Sequence, residues 1–296
     1  MCANPTLRQW ADPARTDLSV LLGAVCGDVA GSIYEWRNIR YKLDEAHLIA
    51  PDAHCTDDSV LTCAVAQALQ EGLARLPGDW LSMPGAQEEL AQAVKRQLLR
   101  FGRAFPQAGY GSKFIAWLET DDPQPYGSWG NGSAMRVSAA GWLARTLEEA
   151  ETLAEISARV THDHPEGIRG AVCVAGCLFL LRQTGDKEAV RAYASRFYDL
   201  HFTLREIRDT YTFNASCQGS VPQAIVAFLE AEDFADAISG AISIGGDSDT
   251  IAAIAGCLAE VIYPIPEAVR QDVTGRVDGM LLEALAGAAA FARERG

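Results

Sequence analysis

The stretch LSVLLGAVCGDVAGSIYEW, residues Leu18–Trp36, decides the fold of this 296-residue chain. Its apolar residues recur at spacings of three and four, which predicts a helix. Gly23, Gly27 and Gly31 recur every four residues and therefore lie on one face of that helix. A glycine inside a helix normally costs about 1 kcal/mol relative to alanine, so three of them predict a very close approach of another backbone or of a ligand. Tight helix–helix packing alone would account for the same pattern.

Two carboxylates belong to the same predicted helix. Asp28 and Glu35 are separated by almost two helical turns, so they are expected to share one face. The helix is rich in glycine and largely apolar, and solvated surface does not explain carboxylates in such a setting. They require a pairing partner, a metal ion or a catalytic role.

Two short acidic clusters lie far apart in the chain, Thr56–Ser59 (TDDS) and Asp247–Thr250 (DSDT). Each supplies two carboxylates and two hydroxyls, which are the oxygen ligands that magnesium prefers. Folded together, the clusters could hold one or two ions, clamp a substrate oxygen and generate a hydroxide nucleophile. The alternative is that each cluster caps a helix, because Asp, Ser and Thr are favoured at helix N-termini. Repetition of the same signature favours the metal site.

Composition excludes several classes of protein. The chain is 49% hydrophobic and 22% charged, which is ordinary for a globular protein and excludes disorder as the main state. Its net charge of −14 argues against a nucleic-acid-binding surface. The longest apolar run, Ala171–Leu181, is too short to cross a membrane. Residues Met1–Thr16 lack the apolar core of a secretory signal, so we expect a cytoplasmic protein with no membrane partner.

The eight cysteines are scattered, mostly within apolar stretches. They are expected to be small buried hydrophobes rather than a disulfide framework. Cys173 and Cys177 have no second pair at zinc-finger spacing, so no zinc site is predicted. Cys217 has no general base or oxyanion partner nearby in the sequence and is assigned to structure.

Helical signals dominate the chain, strand signals are sparse, and no fixed-period repeat indicates a solenoid. We therefore expect an all-α fold, a single compact multi-helix domain spanning residues 1–296, with its functional residues in loops and at helix starts. The predicted helices are Leu18–Trp36, Ser59–Ala74, Gln87–Ala104, Ser133–Leu143, Leu147–Val160, Glu166–Gln183, Lys187–Leu200, Pro222–Glu230, Asp233–Ile244, Thr250–Tyr263 and Pro266–Arg293.

A glycine-rich motif, Tyr126–Ser133 (YGSWGNGS), runs into one of these helices. Glycines around polar residues at a helix start predict a nest of backbone N–H groups, which suits a diphosphate. Trp129 beside it could stack on a base or a ribose. An ordinary glycine-rich turn is the alternative.

A histidine motif, Thr161–Gly167 (THDHPEG), precedes another helix. Pro165 is typical of a first helical turn, which Asp163 or His164 could cap. His162 is either a hydrogen-bond donor in a ligand pocket or a structural residue.

Together these segments resemble the ADP-ribosylglycohydrolase family, which includes dinitrogenase reductase-activating glycohydrolases and the eukaryotic ADP-ribosyl-acceptor hydrolases. One departure is Ser248, where many members have Thr, and it keeps the hydroxyl oxygen. The motifs that carry the resemblance follow the family order from about residue 18 to residue 265 and are Gly23–Asp28 with Gly31 and Glu35, Thr56–Ser59, Gly130–Arg136, Thr161 with His162, and Gly245–Thr250.

The resemblance implies an all-α fold with a cleft that holds two magnesium ions, or manganese in some members. The implied metal ligands are Thr56, Asp57, Asp58, Asp247, Asp249 and Thr250. The implied ADP-ribose-binding residues are Ser128, Trp129, Gly130, Asn131, Gly132, Ser133 and His162, with the loop Gly130–Ser133 around the diphosphate. The implied catalytic residues are Glu35, Asp58 and Asp249, where Glu35 is a gate or a catalytic carboxylate beside the metals.

The implied activity is hydrolysis of the glycosidic bond between ADP-ribose and an acceptor, through an oxocarbenium-like transition state. The substrate would be an ADP-ribosylated protein or a small ADP-ribose conjugate. Analogy with bacterial members favours mono-ADP-ribosyl-arginine. Alternatives are ADP-ribosyl-serine, O-acetyl-ADP-ribose and poly-ADP-ribose, because Tyr34 and Glu35 also resemble the branch directed at serine and polymer. A non-catalytic ADP-ribose-binding module and a magnesium phosphohydrolase that releases phosphate or AMP stay open.

Overall fold

The helices Leu22–Gly31 and Ser248–Ile262 form the centre of the fold, and the other elements surround them. The computed structural model describes residues 20–295. The expectation for Met1–Thr16 and the first two residues of the predicted first helix lie outside these described residues. Within them the fold is all-α, as predicted, and the helices form one compact body without a strand. An isolated antiparallel bridge joins Gly130 to Ser216.

Fifteen α-helices and two short 3₁₀ turns, Glu45–His47 and Trp80–Ser82, make up the described part. The α-helices are α1 (Leu22–Gly31), α2 (Asp57–Leu73), α3 (Ala86–Ala104), α4 (Ser112–Glu119), α5 (Gly132–Met135), α6 (Ser138–Leu143), α7 (Leu147–Arg159), α8 (Pro165–Thr184), α9 (Lys187–Ala194), α10 (Leu204–Ile207), α11 (Cys217–Glu230), α12 (Phe234–Ile242), α13 (Ser248–Ile262), α14 (Glu267–Thr274) and α15 (Gly279–Arg295).

The glycine face of α1 packs directly on the backbone of α13. A Cβ added to Gly23, Gly27 or Gly31 would lie between 2.0 and 2.5 Å from backbone atoms of α13. No side chain fits in that space, which accounts for three glycines in one buried helix. The close approach predicted from the sequence is therefore to another backbone.

The N-terminus of α1 is also held by α13. Leu21, the N-cap residue, has a left-handed backbone conformation, and its side chain makes no capping hydrogen bond to the first turn. The buried carboxylate of Glu260 accepts the N–H of Leu21 at 3.1 Å and that of Gly23 at 2.7 Å. It also accepts the indole N–H of Trp142 at 3.1 Å. A carboxylate at a helix N-terminus satisfies backbone donors that would otherwise be buried without partners.

The first predicted helix ends earlier than expected. α1 stops at Gly31, and the hydroxyl of the next residue, Ser32, donates back to the carbonyl of Val29 at 2.9 Å. Glu35 therefore lies beyond the helix, and the prediction that Asp28 and Glu35 share a helical face is wrong. The carboxylate of Glu35 reaches the site from a loop.

Other helix boundaries differ in similar ways. The predicted helix 133–143 is interrupted between α5 and α6 at Arg136, whose side chain is fully buried. The helix predicted from Pro222 begins at Cys217 instead. The helix 266–293 is divided into α14 and α15, the helix 187–200 ends at Ala194, and α4 and α10 were not predicted.

The cysteines behave as predicted. The seven of the described part are free, and all but Cys55 are buried. No helix within residues 20–295 combines the length and the apolar character needed to span a bilayer.

Candidate active site

Three helix ends converge on one acidic cluster. Asp28 comes from α1, Asp58 from the first turn of α2 and Asp249 from the first turn of α13. One carboxylate oxygen from each lies within 4.8 Å of the other two, and all three side chains are buried. The two acidic clusters that are distant in the sequence therefore meet in the fold, as predicted.

Burial and mutual repulsion raise the pKa values of the carboxylates in this region. Burial, followed by the charge of Asp249, raises the pKa of Asp58 well above its usual value. Burial and then the charge of Asp247 do the same to the pKa of Asp249. Burial also raises the pKa of Asp57 to about 7. A divalent cation would compensate this negative charge, because buried charges are tolerated when paired or coordinated.

The donor set fits a hard cation. Within residues 20–295, Oδ1 of Asp58 is buried without a hydrogen-bond partner, whereas its Oδ2 accepts the hydroxyl of Thr250 at 3.2 Å. A buried carboxylate oxygen without a partner requires an explanation, and coordination of an ion supplies one. The three grouped carboxylates offer only oxygen ligands, which suit magnesium, manganese or calcium rather than a thiolate-bound metal.

Asp28 has an anchoring role that the predicted ligand set did not include. Its carboxylate accepts the N–H of Thr56 at 2.9 Å, the hydroxyl of Thr56 at 2.6 Å and the N–H of Ser59 at 3.1 Å. The hydroxyl of Ser59 donates to it as well. These bonds fix the first turn of α2 and therefore the direction of its acidic residues. The sequence signal was the buried carboxylate on the glycine helix, which required a partner.

Helix capping explains the first acidic cluster only in part and the second not at all. Thr56 is the N-cap of α2, and its side chain accepts the N–H of Asp58 at 3.3 Å. Asp247 occupies the N-cap position of α13 without a side-chain cap bond. Its carboxylate instead accepts Nδ2 of Asn131 at 2.7 Å. This bond joins the acidic cluster to the glycine-rich loop.

A cleft of about 610 Å³ opens over the acidic cluster. This volume is in the range of small-molecule sites. The predicted site residues that line the cleft are Glu35, Thr56, Asp57, Asp58, Ser128, Gly130, Asn131, Gly132, His162, Asp247, Asp249 and Thr250.

Two predicted binding residues, Trp129 and Ser133, lie outside this lining. The hydroxyl of Ser133 donates to the carbonyl of Gly167 at 2.6 Å and is used within the fold. Trp129 is half exposed and packs edge-on against His164, with ring centroids 5.5 Å apart. Lys113 lies over the Trp129 ring, its Nζ 5.6 Å from the centroid.

The glycine-rich loop has fewer free amides than predicted. The N–H of Asn131 donates to the carbonyl of Ala215 at 2.9 Å, and the N–H of Gly130 donates to Oγ of Ser128 at 3.1 Å. α5, which follows, is only four residues long. The loop approaches the histidine motif closely, since a Cβ on Gly132 would lie 3.1 Å from Nε2 of His162.

The histidine motif is divided between the cleft and a helix cap. His162 is buried, and burial followed by the charge of Arg136 lowers its pKa well below the usual value. The ring is therefore neutral at physiological pH. His164 is the N-cap of α8, where Nδ1 accepts the N–H of Glu166, and Pro165 is the first residue of the helix, as predicted.

The loop after α1 carries Glu35 to the second acidic cluster. Burial, and then the charge of Asp247, raises the pKa of Glu35. Asn38 accepts the N–H of Gly246 through Oδ1 and donates to the carbonyl of Glu35 at 3.2 Å. Arg40 donates to the backbone carbonyls of Arg208, Tyr211 and Ile244, and these bonds hold the loop in place.

An aromatic pair at the cleft was not predicted. Trp36 is 78% exposed and stacks on Phe213 with ring centroids 5.8 Å apart, and both residues line the cleft. Exposed aromatic residues at a concave site indicate a ligand surface. Only the position of Trp36 next to Glu35 could have drawn attention to it in the sequence.

The fold and the site define a class: an all-helical protein in which the ends of three helices assemble a buried carboxylate cluster at the base of a ligand-sized cleft. The ADP-ribosylglycohydrolase family profile matches residues 15–295, and the chain belongs to that family. It is accordingly a glycohydrolase, and substrates of this family carry ADP-ribose.

Similar proteins agree with this assignment. The chain is 26% identical to mouse ADP-ribosylhydrolase ARH3, over 86% of each chain. It is also 26% identical to the human ADP-ribosylhydrolase ARH3, over 86% of this chain and 88% of that one. A solved structure described as an ADP-ribosylglycohydrolase-related protein complex has the same fold, with a TM-score of 0.65, 23% identity and coverage of 98% of this chain and 100% of the other.

Proposed function

We propose that the protein is a magnesium-dependent hydrolase that cleaves the bond between the distal ribose of ADP-ribose and an acceptor, with mono-ADP-ribosyl-arginine as the substrate. The products are ADP-ribose and the free acceptor. The observation that carries the proposal is the buried cluster of Asp28, Asp58 and Asp249 beneath the cleft, in which Oδ1 of Asp58 has no partner among the described residues.

The acidic cluster holds the cation. The ligands of the cation would come from the two acidic motifs of the sequence: Thr56, Asp57, Asp58, Asp247, Asp249 and Thr250. Asp28 would not be a ligand; it anchors Thr56 by hydrogen bonds. When bound, a divalent cation supplies positive charge for substrate oxygens and lowers the pKa of a coordinated water. The proposed site binds two magnesium ions, and manganese is the alternative metal.

Proton transfer and substrate binding are carried out by side chains and backbone groups of the protein. Glu35 enters the cleft beside Asp247, and its raised pKa suits a carboxyl that transfers a proton at the leaving acceptor. His162 and the loop Gly130–Gly132 bind the diphosphate. Asn131 holds Asp247 in place through its 2.7 Å hydrogen bond and so connects diphosphate binding to the metal ligands.

Arginine is favoured as the acceptor by the aromatic pair. The exposed indole of Trp36 follows Glu35 directly in the chain and stacks on Phe213. A guanidinium is planar and cationic, and it stacks on aromatic rings while a carboxylate beside it attracts its charge. A serine linkage presents no such group. ADP-ribosyl-serine, O-acetyl-ADP-ribose and poly-ADP-ribose are the other acceptors to be compared.

The test is product analysis by mass spectrometry on ADP-ribosyl-arginine, ADP-ribosyl-serine, O-acetyl-ADP-ribose and poly-ADP-ribose, with magnesium and with EDTA. We expect intact ADP-ribose from the arginine conjugate, only with metal. Asp249→Asn should abolish release, and the matched surface variant Asp121→Asn should not. Full turnover in EDTA, or in Asp249→Asn, contradicts the proposal. Release of AMP or phosphate would indicate a phosphohydrolase, and ADP-ribose binding without any turnover would indicate a binding module.

A further inference from the structure

Arg136 is a buried cation that the proposed reaction does not use. It follows the glycine-rich loop in the chain, lies in the wall of the cleft and is completely buried. Burial lowers its pKa to about 10, so the guanidinium is still charged at neutral pH. Its Nη2 donates to the hydroxyl oxygen of Thr161 at 2.7 Å and to the carbonyl of Ser157 at 3.3 Å. A buried charge in this position requires a role or a compensating contact.

Thr161 connects Arg136 to the histidine of the cleft. The hydroxyl oxygen of Thr161 lies 2.7 Å from Nδ1 of His162. A guanidinium can only donate hydrogen bonds, so the Thr161 oxygen accepts from Arg136. Arg136 occupies one acceptor position of the Thr161 oxygen, and the single hydroxyl proton of Thr161 is available to donate to Nδ1.

The other ring nitrogen of His162 faces the glycine-rich loop. A Cβ on Gly132 would lie 3.1 Å from Nε2, and a Cβ on Gly130 would lie 3.6 Å from it. The charge that acts on the ring is that of Arg136, and the aromatic ring of Tyr126 lies 5.9 Å away, between centroids. A cation at this position opposes formation of an imidazolium. A neutral ring that accepts at Nδ1 must carry its proton on Nε2.

We infer that Arg136 and Thr161 are positioning residues that hold His162 as a neutral imidazole with its proton on Nε2, where it donates to an anion bound at the glycine-rich loop. The identity of that anion as the diphosphate of ADP-ribose rests on the proposed function. The tautomer does not, because it depends only on contacts within the protein. The two parts can therefore be tested separately.

The first test is NMR of the ligand-free, full-length protein labelled with ¹⁵N-histidine. The chain contains five histidines, and His162→Gln identifies the signals of His162 by their loss. We expect Nδ1 to be unprotonated and Nε2 to carry the proton, without change between about pH 5 and about pH 8. A proton on Nδ1, or an imidazolium that titrates in this range, overturns the inference.

The second test compares two substitutions of Thr161. Thr161→Val keeps the branched shape and removes the hydroxyl, whereas Thr161→Ser keeps the hydroxyl. We expect Thr161→Val to populate both tautomers and to weaken ADP-ribose binding about tenfold by calorimetry, since a hydrogen bond to a charged group is lost or misdirected. Thr161→Ser should return both measurements towards those of the unmodified protein. Melting curves identify any variant that fails to fold.

The outcomes separate the two proposals. If the unmodified protein binds ADP-ribose and Thr161→Val binds it equally well, the positioning role is wrong and the proposed function stands. If the unmodified protein has the expected tautomer but binds no ADP-ribose, the proposed function is wrong and the assignment of the ring stands. Loss of affinity in Thr161→Val with an unchanged tautomer also overturns the positioning role, because the effect then has another cause.

Discussion

Gly27 of α1 lies directly against Ala252 of α13: a Cβ added to Gly27 would lie 2.0 Å from the carbonyl oxygen of Ala252. The two backbones are therefore closer than any side chain between them would allow. Asp28 is the next residue along α1, and Asp249 lies about one turn before Ala252 on α13. The same contact thus closes the core and brings two carboxylates of the acidic cluster together.

The first prediction concerns that contact. Gly27→Ala should lower the free energy of unfolding by at least about 2 kcal/mol, because the added methyl group forces the two central helices apart. Gly279→Ala is the matched control, since a Cβ there meets nothing within 4 Å, and its effect should stay within about 0.5 kcal/mol. Urea unfolding monitored by circular dichroism measures both. Equal unfolding midpoints for the two variants would show that the helices can separate without cost.

The second prediction is that magnesium stabilises the protein more at high pH than at low pH. In the metal-free protein, burial raises the pKa of Asp57 to about 7. A carboxyl with a raised folded pKa contributes its stability below its unfolded pKa of about 3.9 and loses it as the pH rises towards the folded value. A cation offsets this loss by compensating the charge. The increase in melting temperature from EDTA to magnesium should therefore be larger at pH 8 than at pH 5, and an increase independent of pH would contradict it.

The sequence predicted the central packing and the acidic cluster because both are encoded in residues that have few alternative uses. A row of glycines inside a helix requires a neighbour, and the structure supplies one in α13. The meeting of residues 56–59 with residues 247–250 followed from their matching chemistry. Neither prediction needed the exact ends of a helix.

The predictions that failed depended on local termination. Glu35 was placed on the helix with Asp28 because the apolar spacing continues past Gly31, yet the hydroxyl of Ser32 turns back onto α1 and the chain leaves the helix there. A separate case is Ser133, a binding residue implied by the resemblance, which lies outside the lining of the cleft. Its hydroxyl is used by the carbonyl of Gly167, a long-range contact that no local pattern reveals.

The third prediction assigns proton transfer to Glu35. Glu35→Gln keeps the size of the side chain and removes the ionisable proton, so kcat should fall about 100-fold or more, while ADP-ribose affinity changes little. The exposed Glu45→Gln on the same connecting segment is the control and should leave kcat unchanged. Steady-state kinetics and calorimetry give the two quantities. A variant that loses affinity but keeps kcat would make Glu35 a binding residue instead.

The fourth prediction concerns the acceptor. Trp36→Ala should lower kcat/KM for ADP-ribosyl-arginine about tenfold or less, in line with the modest strength of a stacked cation, and should not change ADP-ribose affinity. Trp36→Phe, which keeps an aromatic face, should retain most of the activity. The ratio of kcat/KM for the arginine and serine conjugates is the sensitive measurement. Loss of ADP-ribose affinity in Trp36→Ala would place the adenine, not the acceptor, against this aromatic pair.

The last prediction separates an anchoring carboxylate from a cation ligand by the sign of their effects on stability. Asp28 accepts hydrogen bonds from Thr56 and Ser59, and Asp28→Asn places an amide donor against these donors, so the melting temperature in EDTA should fall. Asp249→Asn removes a negative charge from a buried cluster in which the charges of Asp247 and Asp28 raise the pKa of Asp249 beyond the effect of its burial. Its free energy of unfolding in EDTA at pH 8 should therefore increase by about 1–3 kcal/mol, and its melting temperature should rise accordingly. The further increase in melting temperature that magnesium produces should disappear. If both variants are destabilised in EDTA to the same extent, Asp249 is part of the structural framework in the same way as Asp28, and the division between anchor and ligand is wrong.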